Sequence, residues 1–423
     1  MKASRRTLLK GAAALAAPSF AGTALAGPSR PAAGADDEAY WREVARAYDV
    51  KTDIINLENG YWGVMARPVA ERYLENVKRV NHDNSFYARR SWGDDYRAAV
   101  AQLAAALGAR EDEIAITRGA TEALKGLIAG YNRLEAGQAV MYADLDYPEM
   151  IAMMDWRAAK SGCGVVKVSI PEPSTHDGLV AFYKKALEDN PKVKLLLLTH
   201  ISNRTGLAIP LKEIVAMARA KGVDCIVDAA HSWGQMDFTA DDIGADFVGY
   251  NLHKWIGAPI GAGMIYIRKG RLDDISPDPG APEYDLDRVS GRIHTGTVDF
   301  AAVLTLPDAL KFHLDVGPAQ KAARFSYLRN LWVEASRGLP GLQILTPDDP
   351  RLHAAITSIR MEGQTSPEDN IALSKRLFDE FNIFTVHRVG VAAGACVRVT
   401  PALYNSSEDV MALAKALKRI IQS

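Results

Sequence analysis

Two short apolar runs, each ending in a reactive side chain, constrain the fold of this chain more than any other feature. The run Cys225–Val227 ends on Asp228, and the run Phe247–Leu252 ends on His253 and Lys254. Short apolar runs of this kind are typical of buried strands. Because α/β proteins bind ligands at the carboxyl ends of neighbouring strands, the sequence predicts that Asp228 and Lys254 share one edge of a sheet.

A lysine at such an edge has the properties of a nucleophile. Lys254 is followed by Trp255 and Ile256, and partial removal from water lowers the pKa of an amine. Asp228 could hold a ring nitrogen in its protonated form. An amine and a carboxylate in this arrangement are the two protein groups that pyridoxal 5'-phosphate (PLP) chemistry requires. We therefore predict Lys254 and Asp228 as catalytic residues.

A turn earlier in the chain fits the phosphate of such a cofactor. The predicted strand Ile114–Thr117 runs into Gly119, Ala120 and Thr121, which open the next predicted helix. Backbone N–H groups at a helix start, together with the helix dipole, bind anions. These three residues are predicted to bind the phosphate, although Thr121 could equally be a simple helix cap.

The motifs VDAAHSWG and NLHKWIGAP, which contain Asp228 and Lys254, resemble the class V aminotransferase family. This PLP-dependent group includes isopenicillin N epimerases, cysteine desulfurases and kynureninase, and the resemblance extends over roughly residues 50–420. It implies the α/β architecture of PLP-dependent fold type I. We expect a large domain with a mostly parallel seven-stranded sheet flanked by helices (residues 51–306), followed by a linking helix and a smaller C-terminal α+β domain (residues 307–423).

The resemblance also implies roles for residues that contact the cofactor. Tyr147 would stack on the ring, Asn203 and His231 would donate to the ring oxygen, and Asn251 and His253 would contact the phosphate. An aromatic residue at a helix start is also common as simple packing. A metal site built from histidines is disfavoured because their spacing matches no standard ligand pattern.

Three further residues are implied to face the substrate or a second subunit. Arg398, between two valines in the predicted strand Cys396–Thr400, would bind the substrate α-carboxylate with two parallel hydrogen bonds. A buried arginine is costly unless an anion pairs with it. Asn59 would approach the substrate, or simply stabilise a glycine turn. Thr297 would reach the cofactor of the other subunit, which implies a homodimer.

The chemistry that follows cofactor binding is less constrained. Lys254 would act as acid and base at the substrate α-carbon, but transamination, epimerisation and elimination share this apparatus. Desulfurases need a mobile cysteine before the carboxylate-binding arginine, and residues 389–395 contain none. The pattern most resembles the isopenicillin N epimerase branch. A racemase or lyase of the same family and a non-catalytic amino-acid-binding protein remain alternatives, and Lys254 argues against the latter.

The N-terminus carries the features of an export signal. Residues 4–10 (SRRTLLK) are close to the twin-arginine pattern, and an apolar stretch too short to span a membrane precedes Ala24–Ala26, an A-x-A cleavage site. We predict a signal peptide (residues 1–26), an N-terminal arm (residues 27–50), the twin-arginine export machinery as a partner, and a periplasmic mature protein. Exported members of this branch resemble enzymes that modify peptide siderophores of the pyoverdine type. A formal net charge of −1 gives no reason to expect nucleic acid or a membrane surface as a partner.

Overall fold

The computed structural model describes residues 34–423, so the predicted signal peptide and residues 27–33 lie outside the described part. No helix within residues 34–423 is long and apolar enough to cross a bilayer. The strands are β1 (Ile55–Asn56), β2 (Ile114–Thr117), β3 (Ala139–Ala143), β4 (Gly164–Val168), β5 (Val193–Thr199), β6 (Asp224–Asp228), β7 (Phe247–Asn251), β8 (Gly263–Ile267), β9 (Leu342–Ile344), β10 (Thr357–Met361), β11 (Ile383–Phe384), β12 (Val386–Arg388) and β13 (Cys396–Val399). The α-helices are α1 (Glu38–Ala45), α2 (Arg67–Arg90), α3 (Trp92–Leu107), α4 (Ala120–Gly130), α5 (Pro148–Ser161), α6 (His176–Asp189), α7 (Leu211–Ala220), α8 (Ala240–Ile243), α9 (Phe300–Leu304), α10 (Leu306–Val316), α11 (Pro318–Ser336), α12 (Pro367–Phe381) and α13 (Ser407–Gln422).

A seven-stranded sheet forms the centre of the larger part of the chain. Its strand order is β2-β8-β7-β6-β5-β3-β4. β8 runs antiparallel to its two neighbours, and the other pairs are parallel. The leucines 195–198 of β5 are fully buried, as expected where helices cover both faces of a parallel sheet. The predicted mostly parallel seven-stranded sheet is therefore confirmed.

The strands that end in Asp228 and Lys254 are direct neighbours. β6 and β7 are parallel, and Asp228 pairs in register with Gly249. β7 ends at Asn251, so the segment that carries Lys254 leaves the sheet on the same edge as Asp228. The strand order therefore agrees with the prediction that Asp228 and Lys254 share one edge of a sheet.

The C-terminal part is a four-stranded antiparallel sheet of order β12-β13-β10-β9, packed with α12 and α13. α10 and α11, which break at Gly317, connect it to the larger part. The predicted C-terminal α+β unit is thus present. β1, near the start of the described chain, pairs in parallel with β11 in a separate two-stranded sheet, so the N-terminal segment crosses over to the C-terminal part of the chain.

Two local features are not evident from the sequence. Residues 84–92 form the end of α2 and the start of α3, with a kink at Asn84 (φ 49°). The described part of the predicted N-terminal arm contains α1, whose Trp41 is fully buried. Glu38 of this helix forms a salt bridge with the buried Arg324 of α11. An apolar helix face and a buried ion pair therefore anchor the arm to the rest of the chain.

Candidate active site

The predicted catalytic residues line a cavity of about 1010 Å³ at the carboxyl edge of the large sheet. Residues from both sheets line it. The predicted site residues that face it are Gly119, Ala120, Thr121, Tyr147, Asn203, Asp228, His231, Asn251, His253, Lys254 and Arg398. Elements far apart in the sequence are thereby brought together around one space.

The Lys254 amine lies against a histidine whose protonation state follows from its other contact. Lys254 Nζ is 3.0 Å from His231 Nε2, and Trp255 Nε1 is 3.3 Å from His231 Nδ1. Because an indole N–H only donates, Nδ1 accepts, and the neutral imidazole carries its proton on Nε2. Burial lowers the pKa of His231 well below its usual value, which keeps the ring neutral.

This tautomer matches an uncharged amine at Lys254. The His231 Nε2–H can donate only to a nitrogen that has a free lone pair. Burial lowers the pKa of Lys254 to about 8, against the opposing attraction of Asp228. The site therefore favours the unprotonated, nucleophilic form of the amine more than water does.

Asp228 is a buried carboxylate with one unused oxygen. Its Oδ1 accepts the N–H of Ala230 at 2.9 Å, whereas Oδ2 has no hydrogen-bond partner within residues 34–423. Burial raises the pKa of this carboxyl, and Lys254 opposes the shift. A protonated ring nitrogen in the cavity would supply the missing donor and the compensating charge.

The start of α4 forms the anion-binding end of the cavity. The N–H of Ala120 donates to Asn251 Oδ1 at 2.7 Å, so Asn251 caps this helix and the Ala120 N–H is already used. In the described part of the chain, the N–H groups of Thr121 and Glu122 have no acceptor. A Cβ atom at Gly119 would lie 3.1 Å from Asn251 Oδ1 and 3.3 Å from His253 Cε1. Glycine thus keeps this end open for a phosphate.

Two more residues fit a planar cofactor. Asn203 Oδ1 is buried without a partner among the described residues and belongs to a residue that lines the cavity, so it is available to accept a hydrogen bond from a bound group. Tyr147 is half-buried and faces the same cavity. The His253 ring hydrogen-bonds to Ala262 O through Nδ1 (2.7 Å), which leaves Nε2 free. Together with Lys254, Asp228 and the open helix start, these residues fit PLP.

Two of the predicted site residues, Asn59 and Thr297, are not among the described residues that line this cavity. The Asn59 amide donates to the carbonyls of Asn56 and Thr400, and its oxygen accepts the Tyr404 hydroxyl. Its hydrogen-bonding groups are therefore engaged within the chain. Thr297 is exposed and is not among the described residues that line the cavity. The substrate contact of Asn59 and the inter-subunit contact of Thr297 stay predictions.

Arg398 has an anionic partner that sequence reasoning missed. The Arg398 side chain is almost completely buried, and its Nη2 lies 2.6 and 2.8 Å from the two carboxylate oxygens of Glu58. Nη1 donates to Asn203 O at 2.7 Å. A second arginine, Arg388, approaches Glu58 Oε1 at 3.3 Å. The acidic residue directly before Asn59 was the available signal for this pairing.

The backbone around Lys254 is held by groups that the sequence did not reveal. The N–H of Gly63 donates to His253 O at 2.8 Å, and Lys321 Nζ donates to Trp255 O at 2.8 Å. Lys321 is 3% exposed, and burial lowers its pKa to about 7. Gly63, which precedes the large sheet in the chain, and Lys321, which follows it, thus fix the backbone on both sides of Lys254.

Comparison with known proteins identifies this arrangement. A family model described as aminotransferase class V matches residues 66–413. The chain belongs to the class V aminotransferase family. It is 28% identical over 400 residues to an isopenicillin N epimerase of Streptomyces clavuligerus, covering 89% of this chain and 97% of the relative.

Solved structures show the same fold. A cysteine desulfurase from Thermococcus onnurineus NA1 superposes with a TM-score of 0.77 at 19% identity, covering 90% of this chain and 98% of that chain. A C-DES structure that carries glycine covalently linked to its PLP cofactor has a TM-score of 0.74 at 21% identity, covering 86% and 96%. The fold is PLP-dependent fold type I, and the cofactor of this member of the class V family is PLP.

Proposed function

We propose that this class V enzyme acts on the α-carbon and amino group of an amino acid or a peptide-borne amino acid, by transamination or epimerisation. The observation that carries the proposal is the contact of the buried Lys254 amine with a neutral His231, in the cavity that also holds Asp228 and Arg398. The similarity to an isopenicillin N epimerase along nearly the whole of both chains supports it.

Each of these residues has a distinct task in such a reaction. PLP supplies a ring that accepts electrons from the substrate α-carbon. Lys254 holds the cofactor and, once released, carries a proton to or from that carbon. Asp228 maintains positive charge at the ring nitrogen, and Arg398 orients the substrate carboxylate. His231 donates its Nε2 proton toward Lys254 and keeps the amine available as a base.

Desulfuration is the less favoured reaction within the family. Cys396 is fully buried in β13, its Sγ lies 3.6 Å from Arg204 O, and burial raises its pKa to about 11. Neither Cys163 nor Cys225 lines the described cavity. A thiol that accepts sulfur from the substrate must be both exposed and ionised. None of these three cysteines meets both conditions at the cavity.

The proposal extends to cellular context. The twin-arginine pattern of residues 4–10 supports export of the folded protein to the periplasm, with modification of a peptide siderophore as its task there.

The size of the cavity suits PLP together with a bulky substrate. Its volume of about 1010 Å³ lies at the upper end of the range for small-molecule sites. The proposal includes a homodimer in which the exposed Thr297 serves the site of the neighbouring subunit.

The cofactor assignment is tested by the visible absorbance of the purified protein. Lys254→Ala should abolish the absorbance band of covalently held PLP, and Lys311→Ala, on an exposed part of α10, should retain it. A Lys254→Ala protein with an unchanged spectrum would contradict the proposal.

The reaction is tested by titrating the wild-type protein with amino acids and peptide siderophore precursors, with mass analysis of the products. A keto product would indicate transamination, and an inverted α-carbon would indicate epimerisation. A spectral change without any product would favour an amino-acid-binding protein.

A further inference from the structure

Two arginines, not one, face the cavity at the predicted carboxylate-binding end. Arg388 and Arg398 both line it, and they come from the adjacent antiparallel strands β12 and β13. Arg388 pairs in register with Cys396, two residues from Arg398. Side chains two residues apart project from the same face of a strand, so the two guanidinium groups extend from one face of the sheet.

A single internal carboxylate serves both arginines. Glu58 contacts Arg398 Nη2 through both oxygens, and one of these oxygens also lies 3.3 Å from Arg388 Nη2. The Nε groups of Arg388 and Arg398 are buried without an acceptor in the described part of the chain. Burial and the neighbouring Arg398 lower the pKa of Arg388 to about 10. Two cations therefore share one anion, which leaves one positive charge without a counter-ion beside the cavity.

We propose that the substrate carboxylate bridges Arg398 and Arg388, and that Glu58 is the counter-ion that holds the two guanidinium groups side by side. The inference rests on the proposed function and narrows its substrate class. One incoming carboxylate completes an alternating arrangement of two cations and two anions, and a neutral group leaves the excess charge uncompensated. The substrate must therefore carry a free carboxylate next to the reacting carbon, and amides and internal peptide residues are excluded.

The experiment measures binding of propionate to the PLP-loaded protein by isothermal titration calorimetry, with propionamide as the uncharged control. Loss of one charge-assisted hydrogen bond corresponds to about tenfold in affinity. Arg388→Gln should therefore weaken propionate binding about tenfold. Arg388→Lys should recover part of that loss, because it keeps the charge without the planar fork. Both variants should treat propionamide as the wild type does.

Arg398→Gln separates failure of this inference from failure of the proposed function. If Arg398→Gln weakens propionate binding and Arg388→Gln does not, the two-arginine model is overturned and the carboxylate site stands. If neither variant changes propionate binding, or the wild type binds no propionate, the two-arginine model and the proposed function, in which Arg398 binds the substrate carboxylate, are both overturned. A lysine variant no better than glutamine would show that Arg388 only supports the strand, which also overturns the inference.

Discussion

Replacing Lys321 by methionine should make the protein less sensitive to acid. Lys321 lies in the interior of the protein between Trp255 O and His313 Nδ1, and burial lowers its pKa from 10.5 to about 7. Between these two pH values the unfolded chain binds a proton at this lysine and the folded protein does not. The wild type must therefore lose stability as the pH falls through this window, and the loss levels off below about pH 7.

The magnitude follows from the two pKa values. Between about pH 9 and about pH 6, the wild type should lose about 2–3 kcal/mol of unfolding free energy that the Lys321→Met variant keeps. Titrating groups that do not contact Lys321 are common to both proteins and cancel in the difference. The pKa of His313, which burial and the neighbouring Lys321 lower to about 2, lies far below this pH window in the wild type. Methionine leaves Trp255 O without its donor, which adds a cost of about 1–3 kcal/mol that does not depend on pH.

The assay is urea unfolding followed by fluorescence at several pH values, with both proteins in the same state of PLP loading. Lys418→Met, on the exposed side of α13, is the matched control and should show no pH-dependent difference from the wild type. If the difference between wild type and Lys321→Met is constant across the pH range, Lys321 is charged in the folded protein. Burial would then not suppress protonation of this amine, contrary to the prediction.

Three further substitutions test the contacts around the cofactor. Trp255→Phe removes the donor that fixes the His231 tautomer, and should lower kcat by up to about tenfold with little change in KM in steady-state assays. Asn251→Ala removes the acceptor of the Ala120 N–H, and because a lost helix cap costs about 1 kcal/mol, the free energy of unfolding of the PLP-free protein, measured with urea, should fall by about that amount. Cys396→Ser should leave kcat largely unchanged because the thiol is buried outside the cavity lining, and a folded but inactive variant would revive the desulfurase hypothesis.

The central sheet could be predicted because its signals are local. The apolar runs that form β2, β6 and β7 are short and continuous, and their predicted limits agree with the structure within about one residue. Asp228 and Lys254 were found because each follows such a run directly. The end of α2 and the start of α3 could not be predicted, since the polar and aromatic residues 84–92 lack the regular apolar spacing that indicates a helix in a sequence.

The carboxylate-binding end could be predicted only in part because its partners are distant in sequence. The burial of Arg398 between two valines correctly indicated an anion, but its charge alone does not say which anion. The nearest carboxylate belongs to Glu58, 340 residues away along the chain. The burial of Lys321 could not be predicted either, because a lysine in a helix is exposed in most proteins. Its acceptor is a backbone carbonyl rather than an acidic side chain, so the sequence shows no charged partner for it.

The crossing of the N-terminal segment to the C-terminal part of the chain determines when the enzyme can first recognise a substrate. Glu58 follows β1, whereas both of its arginines lie on β12 and β13. A nascent chain that has emerged as far as β8 already has Asp228, Lys254 and the start of α4, but it lacks the arginine pair. During synthesis, the groups that hold PLP therefore exist before those that select the substrate, and only a completed polypeptide has both.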